Sequence, residues 1–200
     1  MWAGPINGAV RRVPVWVLWI GGLVPALWFF YLGLTGGLGA EPIKALEHEL
    51  GLVALQLVVA GLAITPLRRH LGINLLRFRR AVGLLAFTYV GLHLAVWLFL
   101  DVQDAARIGA DIVKRPYVTL GFAAFVLMIP LAVTSIDLAL RRLGPRWRRL
   151  HRLVYPAAVL GAVHFVWLAK GFQIEPLLYL ATILVLLALR VRLSWWMRRA

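Results

Sequence analysis

Residues Leu150–Trp167 read LHRLVYPAAVLGAVHFVW, and this stretch decides how the rest of the chain is interpreted. It is apolar enough to enter a bilayer, yet it carries a histidine near each end, His151 and His164. Ionisable side chains are costly in hydrocarbon, so those in membrane helices tend to face a bundle interior and mark a site. Ala157 and Gly161 lie seven and three positions before His164 and share its helical face. A face cleared in this way lets something flat and bulky approach the backbone, as an axial haem ligand requires. The remaining sequence then poses one question: what supplies a partner for His164.

Composition supports the membrane setting. At 62% hydrophobic and 15% charged, the 200 residues depart from a soluble domain, where about half are apolar and about a quarter charged. Nine tryptophans agree, since tryptophan gathers at membrane interfaces. The net charge of +14 sits in short clusters between apolar runs, so membrane topology explains it and a nucleic-acid partner is not expected. The absence of cysteine excludes disulfides, thiolate-held iron–sulfur clusters, covalent c-type haem and cysteine-bound zinc together. Any cofactor must be held without covalent attachment, by histidine or by packing.

Six apolar segments follow one another, at Val13–Leu34, Glu49–Pro66, Ala81–Leu100, Val118–Leu138, Leu153–Ala169 and Pro176–Leu193. Each approaches the ~20 residues that cross a ~30 Å hydrocarbon core as a helix, and no strand alternation competes. The expected fold is therefore all-α, a six-helix transmembrane bundle forming a single domain over residues 1–200. Pro116 and Pro176 stand at helix starts, Pro42 just before one, and Pro66 is expected to close the second span. Pro25, Pro130 and Pro156 fall inside spans and predict kinks. Arg11–Arg12 ahead of the first run, with Gly39–Ala40 behind it, imitates a cleaved export signal. Its apolar region approaches roughly 22 residues against about 7–15 for a signal, so it reads as a span.

Orientation follows from the basic residues. Arg11–Arg12, Arg68–Arg80, Arg141–Arg152 and Arg190–Arg199 hold 17 of the 22 Lys and Arg on one side of the bundle. Lys44, Arg107, Lys114, Arg115 and Lys170 share the other side with seven of the eight acidic residues. The positive-inside rule places both termini of this multi-pass chain in the cytoplasm.

With topology fixed, position becomes depth. His93 lies 13 residues after Arg80, and His164 lies 13 residues after His151. Both are about 20 Å from the cytoplasmic boundary, on two outward-running helices. Two imidazoles at one level can ligate one iron from opposite sides. Ala86, Tyr89 and Trp97 share the His93 face and suit a flat apolar macrocycle. His151, at the cytoplasmic boundary, suits a second haem in depth only: on an ideal helix it points about 220° away from His164. Arg79 and Arg80 stand level with it, so a second haem needs His70, a water or another ligand. His48, between Glu47 and Glu49, caps its helix, touches the outer edge of a haem or binds a partner; His70 reads as a loop residue. Arg115 is placed to reach an outer haem propionate, and the cytoplasmic arginines around Trp147 read mostly as topology signal and lipid-headgroup contact, with a propionate, a flavin phosphate or an acidic reductase as lesser alternatives. Thr134–Ser135 reads as helix back-bonding. No nucleotide fingerprint, HExxH motif or nucleophile–base pair is present.

Several motifs in order carry a family resemblance: Gly36–Lys44, Ile64–Arg68, Arg80–Leu94 with Tyr89 and His93, Arg115–Gly121, and Trp147–Tyr155 followed by His164. Over nearly its whole length the chain resembles the haem-binding membrane subunits of the bacterial periplasmic methionine sulfoxide reductase system (the MsrQ or YedZ family), which group with ferric-reductase-like transmembrane domains. Leu50, where the family usually has threonine, is the visible departure. The resemblance implies a b-type cytochrome subunit rather than a stand-alone catalyst. Such a subunit takes electrons from a cytoplasmic flavin reductase or the quinone pool. It passes them to a periplasmic molybdopterin-containing subunit that repairs methionine sulfoxide. It implies haem ligands at His93, His151 and His164, one haem b with a second left open, and an associated FMN for which no independent motif exists here. The competing reading, a small metal-ion or proton transporter using His93 and His164, calls for acidic residues deep in a span or internal repeats, and none is evident. A structural assembly factor with ordinary core histidines is the third.

Overall fold

The computed structural model describes residues 3–169 and 172–196, with side chains followed as far as residue 190. Lys170, Arg198 and Arg199 of the charge pattern lie outside the described residues, and Arg192 lies where only backbone is described. Every described element is helical. In chain order these are α1 (Ala3–Arg12), α2 (Val15–Thr35), α3 (Pro42–Leu71), α4 (Arg79–Val96), α5 (Ala105–Lys114), α6 (Pro116–Val133), α7 (Asp137–Leu143), α8 (Pro145–Leu150), α9 (Val154–Leu168) and α10 (Ile174–Trp196). A 3₁₀ turn leads into α4 (Leu76–Phe78) and another into α9 (His151–Leu153); α4 runs on through a π turn, Trp97–Val102.

Among the described residues, four helices are long and apolar enough to cross a membrane: Val15–Thr35, Pro42–Leu71, Leu76–Val102 and Pro116–Val133. The fifth expected segment forms the shorter α9, of 15 residues, and the sixth forms α10, of 23. Two antiparallel hairpins, α3 with α4 and α6 with α9, make the centre; α2 packs outside on α3 and α4, and α10 outside on α9 and α3. Ala26 is the only buried residue of α2, while Leu27 is 70% and Trp16 61% exposed. Apolar side chains left bare on this scale belong against lipid. This is a membrane protein by composition, helix length and surface.

The prolines behave less uniformly than the sequence implies. Pro66 does not close its helix: α3 continues to Leu71 and ends on Gly72 in the left-handed region. Proline removes the donor that would pair with the carbonyl four residues back. That carbonyl, Leu62 O, instead accepts from the Arg190 guanidinium at 2.6 Å, so the helix carries on. Pro156 falls in the first turn of α9 and not in a helix interior, so no intrahelical donor is lost there. At Pro25 the Tyr89 hydroxyl inserts into the backbone ladder of α2, donating to Gly22 O (2.6 Å) and accepting from Ala26 N (3.0 Å). Tyr89 is 0% exposed, turned to α2 and not to the face expected from helical spacing. Gly22 allows this approach, since a Cβ there would stand 2.6 Å from Leu85 Cδ1.

Short elements tie the helix ends. Asn7 of α1 bonds Gly72 O and the amide of Asn74, and Arg77 donates to the carbonyls of Val10 and Arg11, closing the C-terminal end of α1. The segment between α4 and α6 contains α5, which the span pattern leaves as loop. Asp104 caps it, accepting from Ala106 N and Arg107 N.

Candidate functional site

His93 leaves α4 toward the centre of the bundle, and its Nδ1 lies 2.8 Å from Glu47 O in the first turns of α3. A carbonyl only accepts, so Nδ1 carries the proton and Nε2 keeps its lone pair. His164 leaves α9 in the same fashion, donating from Nδ1 to Tyr117 O of α6 at 2.7 Å. The two hydrogen bonds span 46 and 47 residues, one in each hairpin.

Each ring also presses on a glycine one turn beyond its carbonyl. A Cβ on Gly51 would stand 3.1 Å from His93 Nδ1, and one on Gly121 only 2.9 Å from His164 Nδ1. Helix α3 therefore presents Glu47 O and Gly51, and α6 presents Tyr117 O and Gly121, as two copies of one cradle. The histidine rings approach to 6.2 Å between centroids, with planes at 77°. Metal–imidazole bonds of ~2.0–2.1 Å, with each ring centre roughly 1.1 Å behind its nitrogen, place centroids about 6.3 Å apart across a shared ion. The spacing and the fixed tautomers fit a metal held between the two rings.

Both histidines line a cavity of about 550 Å³, within the ~300–1,000 Å³ usual for cofactor pockets. Its walls are mostly apolar, including Leu52, Val90, Phe122, Phe125 and Met128, and Ala157 and Gly161 form the cleared face anticipated beside His164. The rim is polar: Lys44, Glu47, His48, Asp101, Arg115 and Tyr117 all reach it. His48 sits against Phe165 at 5.8 Å between ring centroids. The Tyr117 hydroxyl, then Asp111 at 3.1 Å, hold the Arg115 guanidinium firmly in its charged form. Of the aromatic face expected around His93, Trp97 lines the cavity and Tyr89 does not.

His151 is elsewhere. Its ring stacks on Trp147 at 3.8 Å, and its Nε2 lies 3.1 Å from Thr134 Oγ1. That hydroxyl spends its one proton on Pro130 O at 2.6 Å, so Nε2 is the donor. Burial first, and the Arg79 charge second, push the imidazole below its ordinary pKa, favouring a neutral ring. Ser135 likewise bonds Leu131 O, so both hydroxyls back-bond as expected. Sequence reasoning missed Gly51 and Gly121, although each stands a near-equal distance, 42 and 43 residues, before a half-buried histidine. That repeat was the available signal.

The sequence profile of the family described as "Ferric reductase like transmembrane component" matches residues 49–162. The "Protein-methionine-sulfoxide reductase heme-binding subunit MsrQ" of Rhizobium meliloti is 49% identical over 189 residues, covering 92% of this chain and 88% of that protein. The subunit of the same name from Agrobacterium fabrum is 48% identical over 178 residues, 88% of this chain and 83% of its own. That from Brucella anthropi is 46% identical over 178 residues, 88% and 81% of the two chains. No solved structure matches.

Proposed function

This chain belongs to the ferric-reductase-like transmembrane family, among the MsrQ subunits, and from that premise we propose that it is a haem-binding electron relay of a protein-methionine-sulfoxide reductase system. The reading rests on one observation above others: His93 and His164 face each other at 6.2 Å, each with Nδ1 engaged by a backbone carbonyl. Their Nε2 atoms would hold the iron. With no cysteine in the chain, the haem would be held without covalent attachment, which agrees with the haem b that the family resemblance implies.

Bound haem supplies a one-electron carrier. The protein does the rest. Glu47 O and Tyr117 O orient the imidazoles and raise their basicity, as carbonyl partners do for ligating histidines. Gly51 and Gly121 allow the rings to sit that close to the backbone. Apolar walls exclude water, while Arg115 and Lys44 at the rim would meet the carboxylates of the macrocycle edge. His151, whose Nε2 is engaged by Thr134, serves the inner side, at a second haem or on the entry route of electrons.

The full chain acts as one domain with six inner-membrane crossings and both termini in the cytoplasm. Electrons enter from a cytoplasmic flavin reductase or the quinone pool, with FMN as an associated group. They leave to a periplasmic molybdopterin-containing reductase subunit. The transporter alternative is weaker, since the relatives that cover most of this chain carry the name of a heme-binding subunit.

Visible spectra and haem-to-protein ratios of the wild type, His93→Ala and His164→Ala test the proposal. The wild type should show a reducible low-spin Soret and α band, and each variant should lose haem or turn high-spin. Full low-spin haem in both variants would remove the pairing.

A further inference from the structure

At the opposite, arginine-rich end of the bundle lies a second cavity, of about 600 Å³, that the histidine site does not use. Arg68 and Arg69 from the end of α3, Arg79 from the start of α4, and Arg190 of α10 line it, together with Thr65 and Tyr155. Among the described residues no carboxylate lines it. Of the eight acidic residues in the sequence, seven lie toward the histidine end, and the eighth, Asp137, is taken by Arg80 at 2.5 Å. Among the described residues none of the four lining arginines makes an ion pair.

Arg190 is the anchor of the cavity. Its guanidinium is held from two sides, by Leu62 O at 2.6 Å and the Tyr155 hydroxyl at 3.2 Å, and it lies 5.4 Å over the Tyr155 ring. Its Nε, however, is buried with no hydrogen-bond partner among the described residues. A buried charged donor left unpaired is costly, and four like charges around one hollow repel each other. The orphaned carbonyl at Pro66 explains why Arg190 is fixed there; it does not explain why three more arginines surround it without a counter-charge. An occupant with negative charge and several acceptor oxygens resolves both.

We infer that this cavity binds a phosphate group. Guanidinium forks match phosphate oxygens in charge and geometry, and Thr65 adds a hydroxyl. A basic pocket between helices at the cytoplasmic boundary is placed to receive the headgroup of an acidic phospholipid; a phosphate-bearing solute from the aqueous side offers the same chemistry. The inference does not depend on haem.

The full chain is reconstituted in nanodiscs of phosphatidylcholine, with or without phosphatidylglycerol, and separately titrated with inorganic phosphate and pyrophosphate in the zwitterionic discs. Native mass spectrometry counts bound lipid, and thermal unfolding reads stabilisation. Because Arg190→Gln also strips the Leu62 carbonyl of its partner, the deciding variant is the double Arg68→Gln, Arg69→Gln, whose side chains are exposed. Retained phosphatidylglycerol, weakened roughly tenfold or more in the double variant, supports the site with lipid as its source. Saturable stabilisation by phosphate or pyrophosphate, weakened in the variant and without lipid preference, supports it with a solute as its source. No response in either arm, or equal responses in wild type and double variant, overturns the inference. The haem spectrum should stay unchanged in the variant, which separates this outcome from any failure of the histidine site.

Discussion

Replacing Gly121 with alanine tests the cradle behind His164 without touching any candidate ligand. The added Cβ would stand 2.9 Å from His164 Nδ1 and 3.0 Å from Cε1, where ordinary contacts begin at 3.4 Å. The imidazole must retreat from α6 by about 0.5 Å, because the obstructing atoms are backbone-anchored and overpacking of this kind has no flexible tip to absorb it. Tyr117 O lies on the same helix, one turn back, so the retreat stretches the 2.7 Å hydrogen bond toward the ~3.2 Å limit for an N–H donor. Metal sites tolerate displacements of roughly 0.2 Å, and losing an orienting partner costs about 10–100-fold in affinity. Gly121→Ala should therefore lower haem affinity by about one to two orders of magnitude and convert residual haem toward high spin. Gly51→Ala, with 3.1 Å to His93 Nδ1, should act in the same direction more weakly. Gly83→Ala, on α4 with nothing within 4 Å of the added carbon, is the control. Haem titration of the purified apoprotein followed by visible and electron paramagnetic resonance spectra decides the matter. A Gly121→Ala protein with wild-type affinity and a wild-type low-spin signal would refute the argument.

Tyr89→Phe should cost about 1–2 kcal/mol, the worth of the two hydrogen bonds its hydroxyl makes to α2. Haem content should be untouched, and a thermal melt with haem assay checks both halves. His151→Ala should leave the His93–His164 low-spin spectrum intact, because its ring lies on Trp147 and Thr134; disappearance of that spectrum would contradict the separation of the two sites. Gly161→Leu should fold, since the position is open, yet block haem uptake by projecting into the cavity; normal uptake would argue that the cofactor lies elsewhere. The hydrogen bond from Arg80, and then its charge, hold the Asp137 carboxyl below its ordinary range. A carboxylate depressed in the folded state stabilises above its unfolded pKa, and that contribution fades as the pH falls through the lower folded value. The melting difference between wild type and Asp137→Asn should be small, because the pair is exposed, and should vanish once the pH has fallen below the depressed folded-state pKa. A difference that grows with acidification would reverse the sign.

Helix content and the convergence of His93 and His164 were legible in the sequence because each follows from counting. Apolar runs of bilayer length specify helices, and a fixed rise per residue converts equal offsets of 13 into equal depth. What counting cannot reach is the identity of the neighbour. Gly51 and Gly121 matter only because an imidazole from another helix lies against them, and their own helices would form as well with alanine. Pro66 reads as a terminator until Arg190, 124 positions later, supplies the missing donor. Tyr89 shares a face with His93 by spacing, but the break at Pro25 in α2 draws its hydroxyl away. Helix α5 was visible in principle, since Asp104 before Ala105-Ala-Arg is a capping signal, but its 10 residues are too short and too polar to stand out as an apolar run.

The doubled cradle bears on how such a site would work. Two hairpins run in the same direction, and each holds its histidine by a carbonyl four residues before a glycine. Side-chain partners for Nδ1 would have rotamers to lose or change, whereas a helical carbonyl has none, and the glycine lets the ring rest directly on the backbone that carries it. An electron carrier benefits when its ligands keep one geometry in both oxidation states, because preorganised groups need no rearrangement as charge changes. Replacing Glu47 or Tyr117 by other side chains should accordingly leave ligand orientation intact, since only their main-chain oxygens take part. Tyr117→Phe removes a hydroxyl that touches Arg115 at the rim but preserves the carbonyl under His164. It should keep the low-spin spectrum, in contrast to Gly121→Ala one turn away; equal damage from the two would show that the backbone is not what holds the ring.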